Sequence, residues 1–271
     1  MAIKEVDYKL GGINVHAYAG GKGFPLLLLH GSGPGASSFG NWHAVMGPLA
    51  ERYKILAGDL IGFGKSGQKK REPYFDIDLW MKEAQFLLEK VAPRGPVGVI
   101  GHSLAGFLSL KLAARNPRIV KVLVTGSLGA KYKIPNALVQ GWTFPPSEAA
   151  FKKFYSQMVA DTSLMTPQFV KDRMRVLNTG NYRDYFTKMF KGNKQKILDQ
   201  CVLTPAELKK IKCEVLMVHG AQDRPVPFAS AAVPLADKLP QSDLVRLANC
   251  GHGPAMDRPK LFLELTRNFF G

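Results

Sequence analysis

Val97-Gly98-Val99-Ile100-Gly101-His102-Ser103-Leu104-Ala105-Gly106 is the stretch on which the reading of the fold turns. Its apolar, β-branched first half predicts a buried parallel strand. The run stops at a serine flanked by small residues. Beyond it, Leu104, Phe107, Leu108, Leu110, Leu112 and Ala113 recur at helical spacing. A strand, a sharp turn with serine at its apex, and a helix make the context in which a G-x-S-x-G-like pattern is a nucleophile elbow. The turn forces the serine into strained backbone, so Gly101 and Ala105 must be small for strand and helix to approach. The helix N-terminus then directs free N–H groups and its positive dipole end at negative charge that develops there.

Outward from the elbow, strands and helices alternate. Toward the N-terminus, Pro25-Leu26-Leu27-Leu28-Leu29-His30 predicts a second buried parallel strand. It runs into Gly31-Ser32-Gly33-Pro34-Gly35-Ala36, a loop whose glycines let backbone approach a ligand and turn N–H groups inward. The Gly-Lys-Ser/Thr ending of a phosphate loop is missing. Residues 41–52 and 76–91 predict helices, and 53–58 a strand ending at Asp59. Asp59 and the following Gly62-Phe63-Gly64-Lys65-Ser66 read as a structural loop. Residues 5–10 and 13–19 alternate around Gly11-Gly12 and predict an antiparallel hairpin that opens the sheet.

Toward the C-terminus, 119–125 is the next strand. The rhythm then breaks: residues 128–201 hold helical segments (147–160, 167–178, 182–190) rich in bases and aromatics, and no strand run. This predicts a helical lid over the strand ends, with a core of 1–127 and 202–271. Residues 213–220 and 242–247 complete the strands, and 226–239 and 259–270 the helices. The fold class is α/β: a mostly parallel eight-stranded sheet flanked by helices, with right-handed crossovers.

The chain has 271 residues and is 46% hydrophobic, enough for a large core. No apolar run of about 18 residues predicts a membrane span, and the opening residues lack a signal-like apolar segment. Three cysteines, Cys201, Cys213 and Cys250, have no metal spacing and read as free thiols of a reducing compartment, with the cytoplasm as expected location. The net charge of +16 invites a nucleic-acid reading. No aromatic-interleaved basic motif, helix-turn-helix or zinc spacing accompanies it. The bases are spread and many fall in the lid, which would steer an anionic small molecule toward the core.

Parallel-sheet enzymes bind ligands at the carboxyl ends of their strands. Ser103, Asp223, His252 and the glycine loop all fall just past such ends. A serine hydroxyl is a poor nucleophile at neutral pH, so His252 would take its proton and return it to the leaving group. Asp223 would fix the imidazole tautomer and stabilise its charged form. Backbone N–H groups of Leu104 and Ser32 would hold the oxyanion. The chain order Ser, Asp, His is that of the α/β-hydrolase arrangement. His30 reads as a pin for the glycine loop, His219 as a buried hydrogen-bonded residue, and His16 and His43 as peripheral.

His30-Gly31-Ser32-Gly33-Pro34-Gly35-Ala36, Gly58-Asp59 with Gly62-Phe63-Gly64 and Ser66, the Ser103 elbow, Gly220 with Asp223 and Val226-Pro227, and Cys250-Gly251-His252 resemble the α/β-hydrolase superfamily over nearly the whole chain. The Ser-Gly-Pro-Gly-Ala loop, Gly126-Ser127-Leu128-Gly129 and the lid run from Asp161 to Thr166 look most like the meta-cleavage product hydrolases of bacterial aromatic degradation. That resemblance implies hydrolysis of a carbon–carbon bond in a 2-hydroxy-6-oxo-dienoate without metal or organic cofactor. It implies that His252 helps ketonise the dienol and that Ser103 attacks the 6-oxo carbon. It implies Arg173 as the lid arginine that binds the substrate carboxylate, with Gly31, Gly33, His102 and Gly253 along the pocket, and it carries an expectation of self-association. Two positions depart from that family: His102 stands where it has asparagine, and Gly253 where it has tryptophan, which would enlarge or reshape the pocket. Both point to the alternative, a carboxylesterase or lactonase. A non-catalytic binder of small molecules and a nucleic-acid binder are the remaining readings, the first opposed by the intact triad.

Overall fold

Leu26 and Leu28 face one side of a strand, Leu27 and Leu29 the other, and all four are fully buried. That is why the run carries no polar residue: the strand is covered on both faces. The computed structural model describes residues 2–271. Its sheet contains β1 (Lys4–Leu10), β2 (Ile13–Gly20), β3 (Pro25–Leu29), β4 (Lys54–Gly58), β5 (Val97–His102), β6 (Ile119–Thr125), β7 (Glu214–Gly220) and β8 (Ser242–Leu247). The order across the sheet is β1-β2-β4-β3-β5-β6-β7-β8. Only the β1–β2 and β2–β4 pairs are antiparallel, so the expected eight-stranded, mostly parallel sheet is found.

Helices α1 (Ser38–Ala50), α2 (Ile77–Val91) and α3 (Leu104–Ala113) follow β3, β4 and β5. Between β6 and β7 lie α4 (Asn136–Gly141), α5 (Glu148–Tyr155), α6 (Pro167–Leu177), α7 (Tyr182–Met189), α8 (Lys194–Gln200) and α9 (Pro205–Lys210). After β7 come α10 (Val233–Ala236), α11 (Pro254–Asp257) and α12 (Pro259–Phe270). None of these helices is long and apolar enough to cross a membrane. Residues 226–239 do not form the single helix the pattern predicts. A wide turn over Phe228–Ala232 precedes the four-residue α10, in which Pro234 has no N–H to give.

Polar side chains cap the starts of the helices. Ser37 accepts from the Gly40 amide, Asp76 from Leu79, Ser147 from Ala150 and Thr166 from Phe169. The helix predicted from residue 41 begins three residues earlier because Ser37 is its cap. The core forms two bodies. Trp42, Leu49 and Phe262 of α1 and α12 pack beneath the sheet, and Trp80, Leu87, Phe107 and Leu110 of α2 and α3 above it. Helix α3 has almost no polar face, because it is enclosed on all sides.

The Asp59 loop is structural, as read. Asp59 accepts from the Ser38 amide at 2.6 Å and the Lys65 amide at 2.9 Å. Beneath it Glu83 is fully buried, and both its carboxyl oxygens face the Ile61 amide at 2.9–3.0 Å. Burial pushes its pKa well above the ordinary value, with the Asp59 charge adding in the same direction. A carboxyl whose folded pKa is raised contributes stability at low pH that is lost as pH rises through the raised value. Glu83→Gln keeps the shape and an acceptor for Ile61. It is expected to match the parent below the ordinary glutamate range and to melt higher above it, by about 2–4 °C for each ~1 kcal/mol recovered. Thermal melts across pH check this; a variant less stable at neutral pH would contradict it.

Candidate active site

Four strand ends build the site. Ser103 follows β5 directly and has φ +55° and ψ −118°, left-handed backbone that a non-glycine residue adopts only under constraint. The constraint is visible. Its N–H donates to the Thr125 carbonyl at 2.9 Å, and its own carbonyl accepts from Gly106 at 3.0 Å and Leu128 at 3.1 Å. A Cβ on Gly101 would overlap Ser109 and the Ala105 carbonyl, which is the close approach the elbow demands.

Asp223 lies in the turn after β7, buried, where the Val226 amide donates to its Oδ1 at 2.8 Å. His252 follows β8, and its Nδ1 stands 2.9 Å from Asp223 Oδ2. Burial alone would raise the Asp223 carboxyl, but the His252 charge and the imidazoles of His219 and His252 hold it well below the usual carboxylate range. It is therefore an anion that accepts from Nδ1–H, leaving His252 Nε2 free to face the cavity. At the end of β6, Gly126 has φ +49°, and a Cβ there would lie 2.7 Å from His252 Nδ1 and 2.9 Å from Asp223 Oδ2. No other residue leaves room for the pair. The His252 loop is tied to the lid as well: its amide donates to Met158 at 2.6 Å, and Asp257 accepts from the Gly251 and Ala160 amides.

Ser103, His252, Gly31, Ser32, Gly33, His102, Arg173 and Gly253 all border one cavity between the strand ends and the helices that follow β6. Among the described residues the amides of Ser32 and Leu104 donate to no protein acceptor, so both are available to a ligand. His30 pins the loop as expected. Its Nδ1–H donates to the Gly31 carbonyl at 2.6 Å, and its Nε2 accepts from the Leu60 amide at 2.9 Å. His43 is peripheral. His16 is not: it is buried and sits 3.2 Å from Asp7 on the opening hairpin.

His102 both braces the turn and lines the cavity. Its Nδ1 lies 3.0 Å from Thr125 Oγ1 and 3.2 Å from the Thr125 carbonyl. A carbonyl only accepts, so Nδ1 carries the proton. Burial, with the neighbouring His252, pushes its pKa well down and keeps it neutral. The two rings lie 4.6 Å apart.

Gly253 does not open the pocket in the way its lack of a side chain suggests. The Met256 Cε occupies the space that a Cβ would take. A flexible thioether fills the gap, as methionine does in irregular packing.

Side chains from the helices between β6 and β7 grip the glycine loop, and of these the sequence analysis singles out Arg173 alone. Trp142 Nε1–H donates to Ser32 Oγ at 2.9 Å, the Gly35 amide donates to Tyr182 Oη at 3.0 Å, and Arg173 donates to the Gly35 carbonyl. The Arg173 guanidinium also lies over the Phe169 ring at 5.2 Å and takes the place a side chain on residue 40 would need. Asn41 of α1 joins it on the cavity wall. No local pattern marks Trp142, Tyr182 or Asn41, since each acts through a partner more than 100 residues away or through a wall made by another element.

Comparison with known proteins agrees with this geometry. Residues 26–265 match the model of the alpha/beta hydrolase family. The 2-hydroxymuconate semialdehyde hydrolase of Pseudomonas sp. strain CF600 is 28% identical over 95% of this chain and 90% of its own. A serine hydrolase from the polyaromatic-hydrocarbon-degrading bacterium Cycloclasticus zankles superposes with a TM-score of 0.90 at 31% identity, over 99% of this chain and 98% of its own. The 2-hydroxy-6-oxo-6-phenylhexa-2,4-dienoate hydrolase of Rhodococcus sp. strain RHA1 gives a TM-score of 0.87 at 28% identity over 99% of both chains. With the serine elbow, the Asp223–His252 pair and the sheet order in hand, the match over nearly the full length places this chain in the alpha/beta hydrolase family.

Proposed function

We propose that the protein is a serine hydrolase that cleaves a carbon–carbon bond in a 2-hydroxy-6-oxo-dienoate, with Ser103, His252 and Asp223 as its triad. The observation that carries the substrate class is Arg173, a cation on the wall of the cavity that holds Ser103 and His252. A dienoate brings a carboxylate to meet it. In this reading the lid grip on Gly35 holds the guanidinium in place before substrate arrives.

His252, its Nδ1–H held by Asp223, uses Nε2 to move a proton as the dienol becomes a ketone. It then takes the Ser103 proton as the hydroxyl attacks the 6-oxo carbon. The amides of Ser32 and Leu104 stabilise the oxyanion. The C5–C6 bond breaks and its electron pair goes to the dienoate fragment. Water then releases the acyl group, so that substrate and one water give 2-hydroxypentadienoate and a carboxylic acid.

A carboxylesterase or lactonase is the second reading. It is favoured by His102 and Gly253, the two wall positions that depart from the dienoate hydrolases. Side-by-side turnover of a 2-hydroxy-6-oxo-dienoate and a short p-nitrophenyl ester separates the two. The first reading expects efficient dienoate cleavage with weak ester turnover; fast ester turnover with the dienoate untouched would replace it by the second. Arg173→Ala extends the test. Losing a desolvated charge partner costs about 2–4 kcal/mol, so kcat/KM for the dienoate should fall roughly 30- to 1000-fold while that for a neutral ester changes little. Equal losses on both would count against a carboxylate-binding Arg173.

A further inference from the structure

The triad acid faces two imidazoles. His219 lies near the end of β7, paired in register with Arg246 of β8, and its side chain is 1% exposed. Its Nε2 is 2.7 Å from the Val226 carbonyl. A carbonyl only accepts, so this nitrogen carries a hydrogen. The same nitrogen is 3.2 Å from Asp223 Oδ2, the oxygen that also faces His252 Nδ1 at 2.9 Å. Nothing in the reaction described above uses His219.

A carboxylate oxygen between two donors divides its charge between them. Charge drawn toward His219 is withheld from the imidazolium of His252. We propose that His219 is a positioning residue for the triad: its Nε2–H, given first to the Val226 carbonyl, also faces Asp223 Oδ2 and weakens the hold of Asp223 on the proton of His252. This rests on the triad reading above and adds to it the element that tunes the base.

The electrostatics agree. Burial opposes a charge on His219, yet the hydrogen bond and charge of Asp223 outweigh burial and hold its pKa above the ordinary value. Other groups also face this cluster. The His102 ring lies tilted against His252, Tyr132 faces Asp223 from the segment after β6, and Cys250 and Asp257 lie on the His252 side. Arg246 lies over the Phe228 ring, whose edge meets His219. A substitution at 219 leaves all of them in place but also removes the donor to the Val226 carbonyl, so the variant that keeps an N–H is the control for that second loss.

The test is the titration of His252, read by NMR of labelled histidine in the parent, His219→Phe and His219→Gln. Phenylalanine removes the donor; glutamine keeps an amide N–H at similar reach. In His219→Phe the His252 titration is expected to move up by about 0.5–1 pH unit, a three- to tenfold change in its protonation ratio at fixed pH. His219→Gln should restore most of the parent value. The acidic limb of kcat/KM should move the same way, with kcat on the plateau nearly unchanged. A folded His219→Phe with an unmoved His252 titration, or with a loss of activity uniform across pH, would overturn the proposal. If His219→Phe does not fold, Asp223→Asn reads the same coupling from the other side, because linkage is reciprocal. The His219 titration should then fall, and an unmoved one overturns the proposal equally. The NMR readout needs no turnover, so full activity in Ser103→Ala would sink the triad reading alone and leave this inference to be judged on its own data.

Discussion

Ser103→Ala is expected to fold as the parent does and to lose turnover of any substrate by a factor on the order of 10⁶ in kcat. The size of the loss follows from the unity of the machinery. In the proposed mechanism His252 and the free amides of Ser32 and Leu104 serve a nucleophile, and without one they would retain only substrate binding and polarisation. The fold survives because alanine keeps the Cβ, and the backbone bonds that hold Ser103 at φ +55° are untouched. The same strain gives a second reading of the position. Ser103→Gly should be equally inactive yet more stable by about 1 kcal/mol, because glycine adopts positive φ without steric cost. A Ser103→Ala protein with full activity, after exclusion of contaminating parent enzyme, would remove the serine from the mechanism. A destabilised Ser103→Gly would mean that the turn is held without strain.

Asp223→Asn should cost about 10⁴ in kcat near neutral pH while leaving the site's shape intact. The hydrogen bonds dictate which way the amide sits. The Val226 N–H must meet an acceptor, so the asparagine carbonyl takes the Oδ1 place and the NH₂ takes that of Oδ2. His252 Nδ1 then faces a donor at the 2.9 Å position and must offer a lone pair. Its proton moves to Nε2, the atom that should take the serine proton. His219, whose Nε2–H also faces Oδ2, meets a second donor there. A stopped assay of kcat against pH, with a thermal melt beside it, checks both halves. Losses below tenfold would show that the tautomer is set elsewhere.

The elbow, the glycine loop and the Asp and His loops are legible in the chain because each is local. A buried strand needs an unbroken apolar run, a strained turn needs small neighbours, and a loop at a strand end needs a residue able to act from it. Those demands fall within ten residues and leave a mark in the sequence. The helices around them are legible through their caps. Helix α1 starts three residues ahead of its apolar periodicity only because Ser37, its cap, lies outside that pattern. The departure at 226–239 is also local in cause: prolines at 227 and 234 interrupt a pattern that hydrophobic spacing alone makes continuous.

Other features cannot be read this way. The three lid contacts on the glycine loop join positions 32 and 142, 35 and 182, and 35 and 173. The glycine loop has a pattern of its own, but nothing near Trp142 or Tyr182 in the chain points to it. Gly253 invites an open pocket until Met256 is found filling it. His219 has an ordinary place at a strand end, and its meaning comes from a carboxylate oxygen that it shares with a residue on another loop.

The sequence by itself determined the α/β architecture, the order of Ser103, Asp223 and His252 along the strand ends, and the loops that carry them, because covalent neighbours supply the periodicity and turn chemistry those features require. Only the tertiary structure decided how Asp223 lies between two histidines, which side chains hold the glycine loop, and what fills the space at Gly253. The first two are contacts across folded distance, set by packing among elements that the chain order keeps far apart; the third is the path of a flexible side chain three residues on, which residue type alone does not fix.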